Sequence, residues 1–234
     1  MFTTVKKYLN RIFYPVFLPQ IRLKAALEST ITPLAVDGVR CLDVGCGDRP
    51  YEYLFTHGSY TGIDVMDSGR PINMKQSDHF YDGNVFPFQN DSFDMVISPQ
   101  VLEHVPDPLV MLKEMARVCK PGGGVVISLP FVYQEHEEPF DYFRFTRFGI
   151  EELLGKAGLR VETMKRDSGA LEVIAILANV YVAHILVLGI RGFGRLYALL
   201  FCFPIQLFAM IFRKFSPTKA SFISILLFMP RKYS

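Results

Sequence analysis

The chain has 234 residues, half of them hydrophobic, with 21 phenylalanines and a formal net charge of +2. This length suits one α/β domain with additions, and the nearly balanced charge gives no indication of nucleic-acid binding. The four cysteines lack a C-x-x-C or other metal-ligand spacing, so we expect free thiols in a reducing cytosol and no metal site. The first residues lack a long apolar stretch that ends in small residues, so we expect no secretory signal.

The N-terminal segment, residues 1–36, is basic and aromatic at its start, with no acidic residue before Glu28. Apolar side chains recur at helical spacing from Val5 to Ile12, and Lys7 and Arg11 lie on the opposite face. The prolines at positions 15 and 19 are expected to end this helix. A basic amphipathic helix either lies on an anionic membrane surface or packs its apolar stripe against the protein, and both interpretations remain open for residues 1–24.

The stretch Arg40–Pro50, RCLDVGCGDRP, begins as a buried strand and breaks at two glycines. We predict a strand at Arg40–Val44, a turn whose backbone N–H groups contact a ligand, and a helix near Pro50–Phe55 with a partially positive N-terminus. A dinucleotide fingerprint would need a third glycine where Pro50 stands. The carboxylate of Asp43, two residues before the first glycine, instead suits a ligand with a cationic amine.

Further strand and helix signals follow in chain order. A second strand, Ser59–Asp64, ends in an acidic residue that can accept hydrogen bonds from both hydroxyls of a ribose. Asp107 and Pro108 together predict a helix start, and the glycines after Lys120 predict its end. The remaining predicted elements are strands at Phe93–Ser98, Val125–Leu129 and Leu159–Arg166, and a helix at Phe148–Ala157 that Thr146 caps.

Five segments, in this order, resemble the class I S-adenosylmethionine-dependent methyltransferases of the ubiquinone/menaquinone type. They are D-V-G-C-G from Asp43, the acidic end of the second strand, D-G-N-V-F-P-F from Asp82, Q-V-L-E-H-V from Gln100, and the run that ends in K-P-G-G at Gly123. The resemblance covers about Asp37–Arg166 and the final strand. It implies an α/β fold with a doubly wound, mostly parallel seven-stranded sheet of Rossmann-like type, in the strand order 3-2-1-4-5-7-6.

The resemblance also implies S-adenosyl-L-methionine as the cofactor. In the family, the aspartate of the D-G-N segment meets the adenine amino group. The histidine of the E-H pair shapes the loop and helix beside the cofactor, so we expect a structural role for His104. The residues that the resemblance implies for cofactor binding are Asp43, Gly45, Cys46, Gly47, Asp64, Val65, Asp82, Gly83 and Gln100.

A polar loop, Glu135–Arg144, follows the fifth predicted strand. Ligands of open α/β sheets bind outside the carboxyl ends of strands, so we expect the methyl acceptor here. An acceptor that must lose a proton needs a base; His136 is the first candidate, followed by Asp141 and Glu135. The H-E-E sequence in this loop lacks partners at metal-ligand spacing, so we expect no metal.

Two apolar runs, Leu171–Ile190 and Leu196–Phe212, precede a final antiparallel strand predicted at Ser221–Met229. We predict an apolar helical hairpin at residues 167–215, inserted into a methyltransferase domain of residues 37–166 and 216–234. The first run is borderline for spanning a bilayer and the second is short, and basic residues near the hairpin ends favour cytosolic ends. Membrane association through residues 171–212 and 1–24 is expected; a helical lid or a dimer face is the alternative.

We therefore expect a cytoplasmic, membrane-associated enzyme that transfers a methyl group to a small or lipid-linked acceptor, at a hydroxyl, on the cytosolic side of a membrane. One alternative is methylation of a prenylated quinone-type ring. Another is a catalytically silent, membrane-associated binding protein with the same fold.

Overall fold

The computed structural model describes residues 17–166, 169–189, 200, 202–212 and 223–230. The predicted amphipathic helix at residues 5–12 lies outside these residues, as does the tip of the predicted hairpin. Side chains of the last strand are likewise outside the description.

The strands form one sheet in the order β3-β2-β1-β4-β5-β7-β6. The pairs β1–β2, β1–β4, β2–β3 and β4–β5 are parallel, and β7 runs antiparallel to β5. The predicted α/β, mostly parallel, Rossmann-like sheet is confirmed. The strands are β1 (Arg40–Val44), β2 (Ser59–Val65), β3 (His79–Tyr81), β4 (Phe93–Pro99), β5 (Cys119–Pro130), β6 (Leu159–Arg166) and β7 (Ile223–Pro230).

Strand β5 begins earlier than predicted, at Cys119 rather than Val125. Phe93 of β4 pairs with Cys119, and the next aligned pair is Met95 with Gly124, so β5 carries a bulge at the K-P-G-G turn. A Cβ at Gly123 would lie 2.6 Å from the carbonyl oxygen of Asp94. The glycine therefore lets the bulge approach the neighbouring strand.

Five α-helices lie in the described residues: α1 (Phe17–Ile31), α2 (Pro108–Val118), α3 (Arg147–Lys156), α4 (Ala170–Gly189) and α5 (Phe203–Ile211). The predicted caps are present, since Asp107 accepts hydrogen bonds from two N–H groups at the start of α2 and Thr146 accepts one at the start of α3. The sequence interpretation missed α1 because Pro19 was taken as a stop. A proline is tolerated in the first turn of a helix, where its missing N–H has no partner in any case.

The helix predicted near Pro50–Phe55 is wrong; the segment forms only a 3-10 turn at Glu52–Leu54. Arg49, directly before the predicted helix, has a left-handed φ of 54°, and Phe55 at its end has φ of −109° and ψ of 38°, so right-handed helical geometry is confined to the residues between them. The Arg49 guanidinium binds Glu52, Asp78 and the carbonyl oxygen of Tyr60, and these contacts hold the segment in a turn. The glycine loop is thus not followed by an α-helix N-terminus.

The core lies between the sheet and helices α2 and α3. Met111, Leu112 and Met115 of α2 are buried and pack with apolar residues of β1, β4 and β5. Leu109, in the first turn of α2, is only partly buried. This core places the carboxyl ends of the parallel strands at one edge of the sheet, where ligands bind in such folds.

The chain divides into two compact units, Met1–Ala25 with Arg166–Phe222, and Ala26–Lys165 with Ile223–Ser234. In the first unit, two polar residues of the apolar run form hydrogen bonds. Glu172 binds the Arg22 guanidinium and the N–H of Gly169, and Asn179 Nδ2 donates to the carbonyl oxygen of Cys202 at 3.1 Å. Within the described residues, no helix combines the length and the hydropathy needed to cross a membrane.

Candidate active site

A cavity of about 1010 Å³ lies at the carboxyl ends of β1, β2 and β4. Gly47 does not line it but donates its N–H to Asp64 Oδ2 at 3.2 Å. The predicted cofactor residues that do line it are Asp43, Gly45, Cys46, Asp64, Val65, Asp82, Gly83 and Gln100. Residues that are spread over 58 positions of the chain, from 43 to 100, thus meet in one cavity.

Asp43 has a buried carboxylate with one oxygen that lacks a partner. The side chain is 1% exposed, Tyr60 donates its hydroxyl to Oδ2, and Oδ1 has no hydrogen-bond partner. Burial raises the pKa of Asp43 to about 7, although the hydrogen bond from Tyr60 acts in the opposite direction. An unpartnered buried oxygen in a cavity wall fits the ammonium group of an amino-acid moiety.

The glycine turn makes room for the Val101 side chain and uses its N–H groups within the sheet. The N–H groups of Gly45 and Cys46 both donate to the carbonyl oxygen of Ile63, at 2.8 and 3.1 Å. The expectation that these groups contact a ligand is therefore wrong, because the turn continues the pairing of β1 with β2. Gly45 has φ of 72°, and a Cβ there would lie 2.6 Å from the Val101 side chain. Burial raises the pKa of the Cys46 thiol to about 12, so it stays protonated.

Asp64 is held at the end of β2 by three groups. Its Oδ1 accepts from the Val65 N–H at 2.8 Å, its Oδ2 accepts from Gly47, and Lys75 Nζ lies 3.3 Å from Oδ1. The buried Lys75 also donates to the carbonyl oxygen of Val65 at 2.5 Å. A carboxylate has about four lone-pair positions, so this one retains capacity for ribose hydroxyls. The sequence interpretation missed Lys75, because nothing in its local pattern distinguishes it from a surface lysine.

The D-G-N-V-F-P-F segment has its backbone fixed from two sides. Asp82 Oδ1 accepts from the N–H groups of Asn84 and Val85, at 2.8 and 3.1 Å, which forms a tight turn. Glu114 on α2 accepts from the Phe86 N–H at 2.8 Å, and Arg117 donates to backbone carbonyls of the same segment. Glu114 and Arg117, the E-x-x-R pair of the sequence, were missed as supports of this wall.

Gln100 follows β4 in a left-handed conformation, with φ of 57°. Its N–H donates to the carbonyl oxygen of Ser128 at 3.0 Å and its side-chain Nε2 donates to Ser128 Oγ at 3.1 Å. Both bonds tie the cavity wall to β5. A left-handed conformation at a non-glycine residue is costly and is often found at ligand sites.

The two predicted catalytic residues, His136 and Asp141, do not belong to the cavity wall that the described residues form. Arg144 donates to both oxygens of Asp141, at 2.6 and 2.7 Å, and lowers the pKa of this carboxyl to about 2. The ionised, paired Asp141 is a weak base at neutral pH. The ring of His136 contacts His104 edge to face, with 4.8 Å between ring centroids.

His104, which the sequence interpretation assigned to structure, does line the cavity. Its Nδ1 lies 2.7 Å from the carbonyl oxygen of Phe140, and burial lowers the pKa of its imidazole below the usual value. His104 therefore stands between the cavity and His136. The E-H pair follows β4 at the carboxyl edge of the sheet, and this position in the sequence could have indicated that His104 lines the cavity.

Comparisons with known proteins agree with this geometry. A family model described as "Methyltransferase domain" matches residues 16–163, which is more than half of the chain. The demethylmenaquinone methyltransferase of Staphylococcus haemolyticus is 30% identical over 149 residues, 56% of this chain and 61% of that protein. The chain thus spans about three fifths of the length of this curated relative.

Solved structures share the fold at low identity. The Haemonchus contortus phosphoethanolamine N-methyltransferase 2, in complex with S-adenosyl-L-methionine, matches with a TM-score of 0.51 and 17% identity, over 84% of this chain and 49% of that chain. The [4+2]-cyclase SpnF matches with a TM-score of 0.57 and 18% identity, over 89% and 82%. With the domain match and the five sequence segments, the chain belongs to the class I S-adenosylmethionine-dependent methyltransferase family.

Proposed function

We propose that this protein transfers a methyl group from S-adenosyl-L-methionine to a quinone-type ring of a lipid. The observation that carries the proposal is the unpartnered Asp43 carboxylate oxygen in a cavity that also contains Asp64. S-adenosyl-L-methionine carries an ammonium group on its methionine portion and two hydroxyls on its ribose, and these groups match the two carboxylates. Family membership implies the same cofactor.

Each part of the cavity wall has a role in this proposal. Asp43 binds the ammonium group, Asp64 accepts from the ribose hydroxyls, and the Asp82–Gly83 turn contacts the adenine. Lys75 and Tyr60 keep the two carboxylates in place. The sulfonium of the bound cofactor supplies the driving force for methyl transfer, so the protein contributes mainly by positioning the two reactants.

The acceptor end of the cavity is aromatic and apolar. Val105, Val110, Phe140 and Tyr142 line it, beside His104. Such a wall suits a flat apolar ring, and the curated relative is named for methylation of a menaquinone precursor. A hydroxyl on a lipid-linked acceptor is the second candidate.

An acceptor that must lose a proton would find His104 before His136, because only His104 lines the cavity. The lowered pKa keeps its imidazole neutral near pH 7, the form that accepts a proton. In this proposal Asp141 holds His136, and the ring of His136 packs against His104 and positions it. This role replaces the direct catalytic role that the sequence suggested for them.

We further propose that helices α4 and α5 attach the protein to the cytosolic face of a membrane. Large apolar side chains on both helices are exposed, among them Tyr181 at 69% and Ile211 at 60%. Exposed apolar patches of this kind mark contact sites for lipid or protein. A lipid surface would bring a lipid-linked acceptor to the enzyme, which favours it over a lid or a dimer face.

The test is transfer of an isotopically labelled methyl group to two detergent-dispersed acceptors, a demethylated quinol lipid and a lipid-linked sugar. We expect label in the quinol, at a ring carbon by mass fragmentation, and less label with the Asp64→Ala variant at a limiting concentration of S-adenosyl-L-methionine. Label on the sugar hydroxyl would favour the second candidate. Binding of S-adenosylhomocysteine without transfer to either acceptor would support a silent member of the family; the [4+2]-cyclase shows that this fold also carries other chemistry.

A further inference from the structure

Glu103 is a buried carboxylate without a hydrogen-bond partner. Its residue is 1% exposed, and neither Oε1 nor Oε2 has a partner in the described structure. A buried carboxylate in this situation is costly unless a cation or a donor compensates it. The neighbouring cation, Arg144, already directs its guanidinium to Asp141 and to backbone carbonyls. The two oxygens of Glu103, beside the cavity, therefore still lack a hydrogen-bond donor or a cation.

Two imidazole rings lie next to this carboxylate. One possible ligand atom from each of Glu103, His104 and His136 lies within 4.8 Å of the others. In His104, Nδ1 faces the carbonyl oxygen of Phe140 at 2.7 Å, which sets Nδ1 as the donor and Nε2 as the nitrogen with a lone pair. The two rings come from different loops, after β4 and after β5, and they contact each other edge to face.

His136 is oriented in the same manner. Its Nδ1 lies 3.2 Å from the carbonyl oxygen of Gln134 and 3.2 Å from Asp141 Oδ2. Asp141 is in turn fixed by two hydrogen bonds from Arg144. A histidine that binds a metal through one nitrogen almost always donates its other N–H to a carbonyl or carboxylate oxygen. Both rings have this second partner, and both leave Nε2 for a ligand bond.

We propose that Glu103, His104 and His136 bind a divalent transition-metal ion, with Zn²⁺ as the best match. Two imidazole nitrogens and one carboxylate oxygen are the donor set of three-ligand zinc sites, which keep a fourth position open. His104 also lines the cavity, so the ion lies at the cavity wall. The proposal stands on side-chain geometry and does not require the proposed methyl transfer. With the ion bound, His104 Nε2 is a ligand, so His104 can serve as the base proposed above only in the metal-free protein.

The sequence did not predict this site because its ligands are separated. The H-E-E run around His136 contains no second histidine at ligand spacing. Glu103 and His104 lie more than 30 positions earlier and reach His136 only through the parallel arrangement of β4 and β5. The expectation of no metal site is therefore replaced by this proposal.

The test is calorimetric titration of the full-length, chelator-treated protein with ZnCl₂ alone. We expect one tight site per chain in the wild type, and a loss of affinity of at least ~100-fold in His136→Ala and Glu103→Gln, larger than changes beyond the ligand shell produce. His57→Ala, which removes an exposed histidine outside the cluster, is the matched control and should bind like the wild type. Equal zinc affinity in all four proteins would overturn the proposal.

A measurement on the wild type covers the case in which the variants fail to fold. With ¹⁵N-histidine labelling, Zn²⁺ should shift the Nε2 resonances of two histidines and leave those of His57 and His79 unchanged. Co²⁺ in place of Zn²⁺ should give the visible absorption of a four-coordinate site. Binding of zinc with no shift of two imidazole resonances, or with shifts of His57 and His79 only, would also overturn the proposal.

Discussion

The pKa of Asp43 leads to a pH-dependent affinity for the cofactor. Burial raises this pKa from 3.8 to about 7 in the free protein, whereas an ammonium ligand binds the ionised carboxylate. A group with a pKa of about 7 is roughly 9% ionised at pH 6 and roughly 91% ionised at pH 8. Affinity for S-adenosylhomocysteine, which carries the same ammonium group, should therefore increase about tenfold over this interval, or about 1.4 kcal/mol.

The assay is calorimetry of S-adenosylhomocysteine binding at pH 6, 7 and 8. Asp43→Asn keeps the size of the side chain and removes its titration, so its affinity should be weaker and nearly independent of pH. Equal slopes for the wild type and Asp43→Asn would refute the assignment of the ammonium to Asp43. A flat wild-type profile would refute either that assignment or the raised pKa.

The raised pKa of Asp43 also makes the free energy of unfolding depend on pH. Between about pH 4 and 7 the unfolded chain loses the Asp43 proton and the folded protein keeps it, so the free energy of unfolding falls as pH rises. The shift of about three pKa units sets an upper size of about 4 kcal/mol. Urea unfolding of the cofactor-free protein at pH 5 and 7.5 should show this slope in the wild type and a smaller one in Asp43→Asn.

Three further predictions concern the cavity and helices α4 and α5. Asp64→Ala should weaken S-adenosylhomocysteine binding by ~1–3 kcal/mol in calorimetry, because ribose hydroxyls lose a charged acceptor; unchanged affinity would place the ribose elsewhere. Gly45→Val should abolish that binding while the fold persists by circular dichroism, because its side chain displaces Val101 into the cavity. Replacement of residues 171–212 by a Gly/Ser linker should leave cofactor binding intact and remove vesicle sedimentation and activity on a lipid acceptor; persistent sedimentation would contradict attachment through these helices.

Local patterns predicted the elements that are set by local chemistry. The alternation of apolar residues and turns located β1, β2, β4 and β6, and cap residues located α2 and α3. Asp43 and Asp64 could be predicted to lie in one cavity because each is next to the carboxyl end of a strand and because their positions resemble those of the methyltransferase family. These predictions needed no knowledge of distant contacts.

The missed features depend on contacts between distant segments. Arg49 prevents a helix after the glycine turn by binding Asp78, which lies 29 positions later. The N–H groups of Gly45 and Cys46 bond to Ile63 because β1 and β2 are parallel neighbours. Whether His104 or His136 lines the cavity likewise depends on how two loops pack against each other. The sequence of either loop alone does not predict this.

The most direct test of the account is a crystal structure of the protein with S-adenosylhomocysteine. We expect the ligand in the cavity at the carboxyl ends of β1 and β2, with its ammonium within hydrogen-bond distance of Asp43 Oδ1 and both ribose hydroxyls on Asp64. A ligand bound outside this cavity, or bound within it with the ammonium away from Asp43, would contradict the central claim.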